Sequence, residues 1–197
     1  MSRRGSSGRP VRREILVFTE GKVTEPTYLA AWGRLVRAQL LVTLDERTGL
    51  DPRGLVELAV QTQKSEAQDE RRKRGRAHDE YWCVFDVDEH SRLAEALDFA
   101  QAHGIRIALS NPNFELWLLL HERDQTAALS KDDARRAVRD EMGIEKSIAP
   151  SVMARLLDDF AAAAARADAL DAMHVRHQSD GNPSTGVHHL VNSLKSA

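Results

Sequence analysis

Apolar residues in this chain form short unbroken runs separated by stretches where they recur every third or fourth position. Ile15-Leu16-Val17-Phe18, Leu41-Val42-Thr43-Leu44, Tyr81-Trp82-Cys83-Val84-Phe85 and Ile105-Arg106-Ile107-Ala108-Leu109 are four such runs. Each is rich in strand formers and reads as a strand, the third being apolar enough for burial on both faces. Between them, Thr24-Glu25-Pro26 opens a helix with a cap and a first-turn proline. Leu29, Trp32, Leu35, Val36 and Leu40 follow at helical spacing. Pro52 starts a second helix with Leu55, Leu58 and Ala59 inward. Ser91 caps a third, carrying Leu93, Ala96, Leu97 and Ala100, which Gly104 stops at a left-handed position.

Strand and helix alternate with short turns, which predicts an α/β domain: a mostly parallel four-stranded sheet flanked by helices. The run after Ser110-Asn111-Pro112, from Phe114 to His121, is apolar nearly all round and predicts a central helix. Asn111 reads as its N-cap, and His121 as a favourable residue at its C-terminal end. Beyond it the pattern is helical, over about 131–142 and 151–173, with a last helix from Ser184 or Thr185 after the loop Gln178 to Pro183. Residues 1–13 are Ser/Gly/Arg-rich without periodicity and read as a disordered basic arm, leaving 14–197 as one domain.

Charge narrows the partners. The chain has a formal net charge of -2, and five arginines fall in its first 13 residues. The remainder therefore carries -2 minus 5, or -7. A body this acidic does not hold a polyanion by its overall field, so contact with nucleic acid must be local or run through a metal ion. The stretch Lys64 to Glu80 has six basic and five acidic residues. Within it, Arg71, Arg72, Lys73, Arg74 and Arg76 read as a solvated helix end, or as a clamp on a nucleic-acid backbone. No apolar run has the length of a membrane span, and no apolar signal core opens the chain, so a cytoplasmic address without membrane contact is expected. The single cysteine, Cys83, excludes an internal disulfide and reads as core. Trp32, Trp82 and Trp117 fall on buried faces and read as packing.

The candidate chemistry lies at the strand ends. In a parallel sheet all carboxyl ends share one edge, where such folds place ligands. Glu20 follows the first strand, and Asp86 and Asp88 end the third. Strand residues i and i+2 point to the same side, so both aspartates can approach one ion. Carboxylates with water suit Mg2+ or Mn2+. Alternatively, Asp88 caps the next helix and Asp86 is solvated. Lys22, Thr24 and Glu25 lie just after Glu20, His90 just after the aspartates, and Asn111, Asn113 and Glu115 at the start of the apolar helix. Glu115, alone among large apolar residues, needs a partner there. His188 and His189 are adjacent on a predicted helix, about 100° apart, and are not expected to chelate one ion.

Four blocks carry a resemblance: Leu16 to Tyr28 (LVFTEGKVTEPTY), Trp82 to His90 (WCVFDVDEH), Ser110 to His121 (SNPNFELWLLLH) and Asn182 to Leu194 (NPSTGVHHLVNSL). In order and spacing they resemble the RloB-like family, proteins found beside restriction-modification genes and in phage-defence (abortive-infection) loci. That family looks like a compact Toprim-type domain, of the kind shared with topoisomerases, primases and overcoming-lysogenization-defect nucleases. The resemblance implies that Glu20 is the Toprim glutamate and that Asp86 and Asp88 are the metal pair, with Glu89 the candidate for the third acid many such proteins carry.

Three functions are in view. The first is a Mg2+- or Mn2+-dependent nuclease or phosphodiesterase acting on DNA or RNA, with Glu20 as general acid or base and Lys22 steadying the phosphate. The second is a non-catalytic nucleotide- or nucleic-acid-binding sensor, an accessory subunit beside a partner ATPase or other defence-system protein. The third is a phosphatase with an aspartate nucleophile. Such enzymes place their Asp-X-Asp after the first strand, whereas here that strand ends in Glu20-Gly21.

Overall fold

A computed structural model describes residues 12–36, 40–45, 47, 50–87, 92–145, 147–177 and 181–195. Five strands and eight helices follow one another along them: β1 (Arg13–Thr19), α1 (Thr24–Val36), β2 (Leu40–Leu44), α2 (Pro52–Arg71), β3 (Glu80–Asp86), α3 (Leu93–His103), β4 (Arg106–Asn111), α4 (Phe114–Glu122), α5 (Lys131–Met142), α6 (Pro150–Asp158), α7 (Phe160–His177), β5 (Ser184–Thr185) and α8 (Val187–Lys195). The sheet order is β2-β1-β3-β4-β5. The first four strands run parallel, and β5 pairs antiparallel with the end of β4.

Alternation along the strands divides the core into two. Ile15, Val17, Trp82, Val84 and Ala108 face one layer, with α1, α4 and the C-terminal helices. Leu16, Phe18, Tyr81, Cys83 and Phe85 face the other, with α2 and α3. With helices on both faces of a mostly parallel sheet, the fold is Rossmann-like. The central helix is α4, where Leu116, Trp117, Leu118, Leu119 and Leu120 are fully buried. Cys83, Trp32, Trp82 and Trp117 are all core residues. Among the described residues no helix is long and apolar enough to cross a membrane.

Several details differ from the sequence reading. Arg13, assigned to the basic arm, is the first residue of β1, where its guanidinium meets Glu80 and donates to the Ser193 carbonyl at 3.0 Å. Residues 1–11 of that arm, and Ser91, lie outside the described residues. The single helix expected over 151–173 is two, parting at Asp159. Ser184 and Thr185 form a fifth strand, so the last helix begins at Val187. Ser110 and Thr185 share a buried hydroxyl–hydroxyl hydrogen bond of 2.9 Å that fixes this strand on the sheet. Leu35 is 61% exposed, whereas Tyr28, Leu29, Ala31, Trp32 and Val36 form the buried face of its helix.

Candidate active site at the carboxyl edge of the sheet

β1 and β3 are neighbours, yet the chain leaves them in opposite directions across the sheet, β1 toward β2 and β3 toward β4. Such a reversal opens a crevice at the carboxyl ends of the two strands. Glu20 and Asp86 stand on its two sides. The Glu20 amide donates to the Val84 carbonyl at 3.0 Å, extending the β1–β3 ladder by one bond. Glu20 Oε2 in turn accepts the Asp86 amide at 3.4 Å. On the other flank, the Val87 amide donates to the Ser110 carbonyl at 2.7 Å, so the end of β3 is held from both sides.

The turn into α1 brings in a third acid. Thr19 Oγ1 donates to the Gly21 carbonyl at 3.0 Å and tightens the turn. Glu25, in the first turn of α1, folds back over Gly21: a Cβ on that glycine would lie 2.1 Å from both Glu25 carboxylate oxygens. The fourth acid is Glu115, in the first turn of α4 and the one polar residue in its apolar run.

These acids perturb one another. Burial, then the charges of Glu25 and Glu115 and to a lesser degree Glu20, push the Asp86 carboxyl up to about 8, with Lys131 pulling the other way. Glu25 is raised as well, by burial first and then by Glu115 and Glu20, against a backbone hydrogen bond that lowers it. Among the described residues, no three of these carboxylates bring oxygens within 4.8 Å of one another. That spread is what repulsion between like charges dictates. The donor set is all oxygen, which suits a hard cation such as Mg2+ or Mn2+.

Beside the acids lies a cavity of about 320 Å³, lined by Thr24, Glu115, Leu118, Arg135, Val138, Arg139, Ile144 and Glu145. Thr24 and Glu115 thus connect the acidic crevice to a wall carrying two arginines. Lys131, Arg135 and Arg139 recur every fourth residue of α5 and form a basic stripe on it. Arg135 keeps a 3.5 Å ion pair with Asp132, and Arg139 a 3.1 Å pair with Asp140. Sequence reasoning missed this stripe; the signal available was its i, i+4 spacing. Asn113 holds the start of α5 in place, its Nδ2 donating to the Lys131 carbonyl at 3.3 Å. Its Oδ1 is buried without a hydrogen-bond partner.

Other candidates fall elsewhere. The cap of α4 is Asn113, without a side-chain capping bond, and Asn111 is instead the last residue of β4. Lys22 is exposed on the β1–α1 turn. Asp88, Glu89 and His90 lie outside the described residues. Arg71, Arg72, Lys73, Arg74 and Arg76 sit where α2 ends and the chain approaches the start of β3, at the amino edge of the sheet and away from the acids. Arg76 is engaged there, donating to the Arg12 carbonyl at 2.7 Å and pairing with Asp79 at 2.9 Å. His121 does not act as a cation at a helix end. It is buried, chiefly by that burial lowered to about 4, and its Nδ1 donates to the Trp117 carbonyl at 2.9 Å. Its Nε2 is thereby left to accept from the Tyr28 hydroxyl at 3.4 Å.

A Rossmann-like α/β protein with an acidic crevice at the point where its strand order reverses is thus defined. It belongs to the RloB-like family, whose model, that of the RloB-like protein, matches residues 15–194. No curated protein and no solved structure matches the chain significantly.

Proposed function

We propose that this protein is a Toprim-type, divalent-metal-dependent phosphodiesterase that cleaves nucleic acid in the cytoplasm, in a phage-defence or restriction-linked setting. The observation that carries this reading is the gathering of Glu20, Glu25, Asp86 and Glu115 at one sheet edge, with Asp86 raised to about 8 by burial first and then by that company. A site that holds a carboxyl so far above its ordinary value gains from a cation. Asp86, Glu20 and, from its place in the Asp-X-Asp pair, Asp88 would hold Mg2+ or Mn2+. When bound, such an ion polarises a phosphate oxygen and lowers the pKa of a water. Glu25 and Glu115, carboxylates at the same crevice, would orient an attacking water, one of them accepting its proton. Lys131, Arg135 and Arg139 neutralise phosphate from the α5 side.

The test is cleavage by purified protein of single-stranded DNA, duplex DNA and RNA with Mg2+ or Mn2+, against Asp86→Ala. Loss of cutting in the variant supports the reading, and equal cutting by both overturns it. A second reading rests on the cavity beside the acids. At about 320 Å³ it has the size of a small-molecule pocket. That favours a nucleotide-binding accessory or sensor subunit, working with a partner ATPase or another defence-system protein. Saturable nucleotide binding with no turnover of any substrate would select it.

A further inference from the structure

A second cluster lies away from the crevice, where α7 packs on α8. Asp168 and Asp171 are three residues apart on α7 and share a face. His188 and His189 occupy the first turn of α8. Adjacent helical residues diverge at Cβ, yet their rings come together, with centroids 3.8 Å apart. Both imidazoles turn toward α7, which side-chain torsions permit whatever the angle between the Cβ atoms. His188 Nε2 lies 3.1 Å from Asp168 Oδ1 and 4.0 Å from Asp171 Oδ2. His189 Nε2 lies 3.9 Å from the same Asp171 oxygen. The expectation that these histidines do not converge on one ion is therefore corrected: the ligand atoms of Asp171, His188 and His189 all lie within 4.8 Å of one another.

We propose that Asp171, His188 and His189, with Asp168 as fourth ligand, form a binding site for a divalent transition-metal ion of the Zn2+ class that clamps α7 to α8. The separations support it. Metal–ligand bonds of about 2.0–2.2 Å in a tetrahedron place neighbouring ligand atoms roughly 3.3–3.6 Å apart. The Asp171 oxygen lies 4.0 Å from His188 Nε2 and 3.9 Å from His189 Nε2, slightly beyond that spacing, so small side-chain rotations bring the three atoms into it, with Asp168 3.1 Å from His188 Nε2 beside them. The second support is independent of the cluster. His188 is fully buried, and neither ring nitrogen has an aligned hydrogen bond, although Nε2 faces the Asp168 carboxylate at 3.1 Å. A buried imidazole whose polar atoms lack aligned hydrogen bonds is costly, and metal on Nε2 satisfies the nitrogen that faces the carboxylates.

The surroundings favour the ligand form. A position in the first turn of a helix disfavours imidazolium and so favours the neutral ring that ligates metal. Trp117 stacks on His188 from the core side at 6.4 Å and closes that flank to water. Asp168, Asp171 and His189 are each about half exposed or more, which leaves an entry path. Two imidazoles with carboxylates select Zn2+-class ions over Mg2+, so this site and the all-oxygen crevice differ in the metal they take.

The site also bears on the crevice by position. His188 lies three residues after Thr185, the residue that bonds Ser110 beside Asp86. A clamp there fixes β5 on the sheet edge.

The test uses untagged, metal-stripped full-length protein carrying Glu20→Gln and Asp86→Asn, so that the crevice does not contribute. Zn2+ binding is measured by calorimetry, and Co2+ binding by the intensity of its visible absorption, which reports tetrahedral coordination. One equivalent of Zn2+ that raises Tm, an intense Co2+ spectrum, and binding at least about tenfold weaker in His189→Ala are expected. His189 is exposed, so that variant folds, and Asp171→Asn provides an independent second variant. Absence of Zn2+ binding, or equal affinity in parent, His189→Ala and Asp171→Asn, would overturn the proposal. Neither result depends on whether the crevice is catalytic.

Discussion

The backbone amide of Asp86 donates to the side chain of Glu20 at 3.4 Å, joining the ends of two adjacent strands whose residues are 66 positions apart. The bond orients a carboxylate without consuming both its oxygens, and it places Glu20 beside a group whose own acidity is strongly altered. Asp86→Asn keeps the shape and removes the charge, so cleavage should fall to background while the fold gains. Burial and the neighbouring acids raise Asp86 from 3.8 to about 8. Across that window the folded chain holds a proton that the unfolded chain has released, so wild-type stability falls as pH rises. Metal-free Asp86→Asn should therefore be more stable than wild type near pH 8 by several kcal/mol, since each unit by which folding raises the carboxyl is worth roughly 1.4 kcal/mol. The gap should widen from pH 4 to 8 and level off above. Denaturant unfolding with a chelator present measures it, and equal stabilities at pH 5 and 8 would contradict the assignment.

Gly21 is required by Glu25 and not by its own backbone, which lies outside the left-handed region. A methyl group there occupies the position of the Glu25 carboxylate. Gly21→Ala should displace that carboxylate from the crevice at little cost to folding, because the clash is with the end of a flexible side chain. We expect activity to drop about tenfold or more, with stability changed by less than ~1 kcal/mol. Activity at the wild-type level would show that Glu25 has no part in the chemistry.

Most of the architecture was legible in the sequence because local signals and burial agree. The runs at Ile15 and Tyr81 are strands on both criteria, and Gly104 ends α3 in the left-handed conformation expected of it. Glu20 and Asp86 were legible as a pair once the strands were parallel. What escaped was tertiary. Ser184 and Thr185 become a strand only because the end of β4 offers them a free edge. Asn113 displaces Asn111 as the cap because β4 runs on to Asn111. His188 and His189 meet through their side-chain torsions, which spacing does not encode. The dense basic run at Arg71 stands out by composition, whereas Arg135 and Arg139, separated by three residues, reach the cavity beside the acids.

That contrast is testable with charge changes. Arg135→Ala with Arg139→Ala should weaken nucleic-acid binding and flatten its salt dependence, by about one unit of log–log slope for each phosphate left without its arginine. Replacing Arg71, Arg72, Lys73 and Arg74 with serine should change cleavage less, because those residues lie at the amino edge of the sheet. Binding measured between about 50 and 200 mM salt reads both effects, since screening and counterion release change steeply over that range. A larger loss from the four-residue change would move the nucleic-acid path to the opposite edge.

His121 supplies a pH dependence of the other sign. Chiefly through burial, its pKa falls from 6.5 to about 4, and the neutral ring bridges the Trp117 carbonyl and the Tyr28 hydroxyl. Between those values the unfolded chain binds a proton that the folded chain refuses, so stability rises with pH across the window and is fully present above 6.5. The change from pH 6.5 to 4 amounts to about 3 kcal/mol, since each pKa unit is worth roughly 1.4 kcal/mol. His121→Gln cannot titrate and still offers an acceptor to Tyr28. Its stability relative to wild type should therefore improve steadily as pH is lowered through this window, even though it is the less stable protein at pH 7. Contributions of other titrating groups are common to both proteins and cancel in the difference. A difference curve that stays flat from pH 6.5 to 4 would mean that His121 is protonated in the folded chain, in conflict with its position between Trp117 and Tyr28.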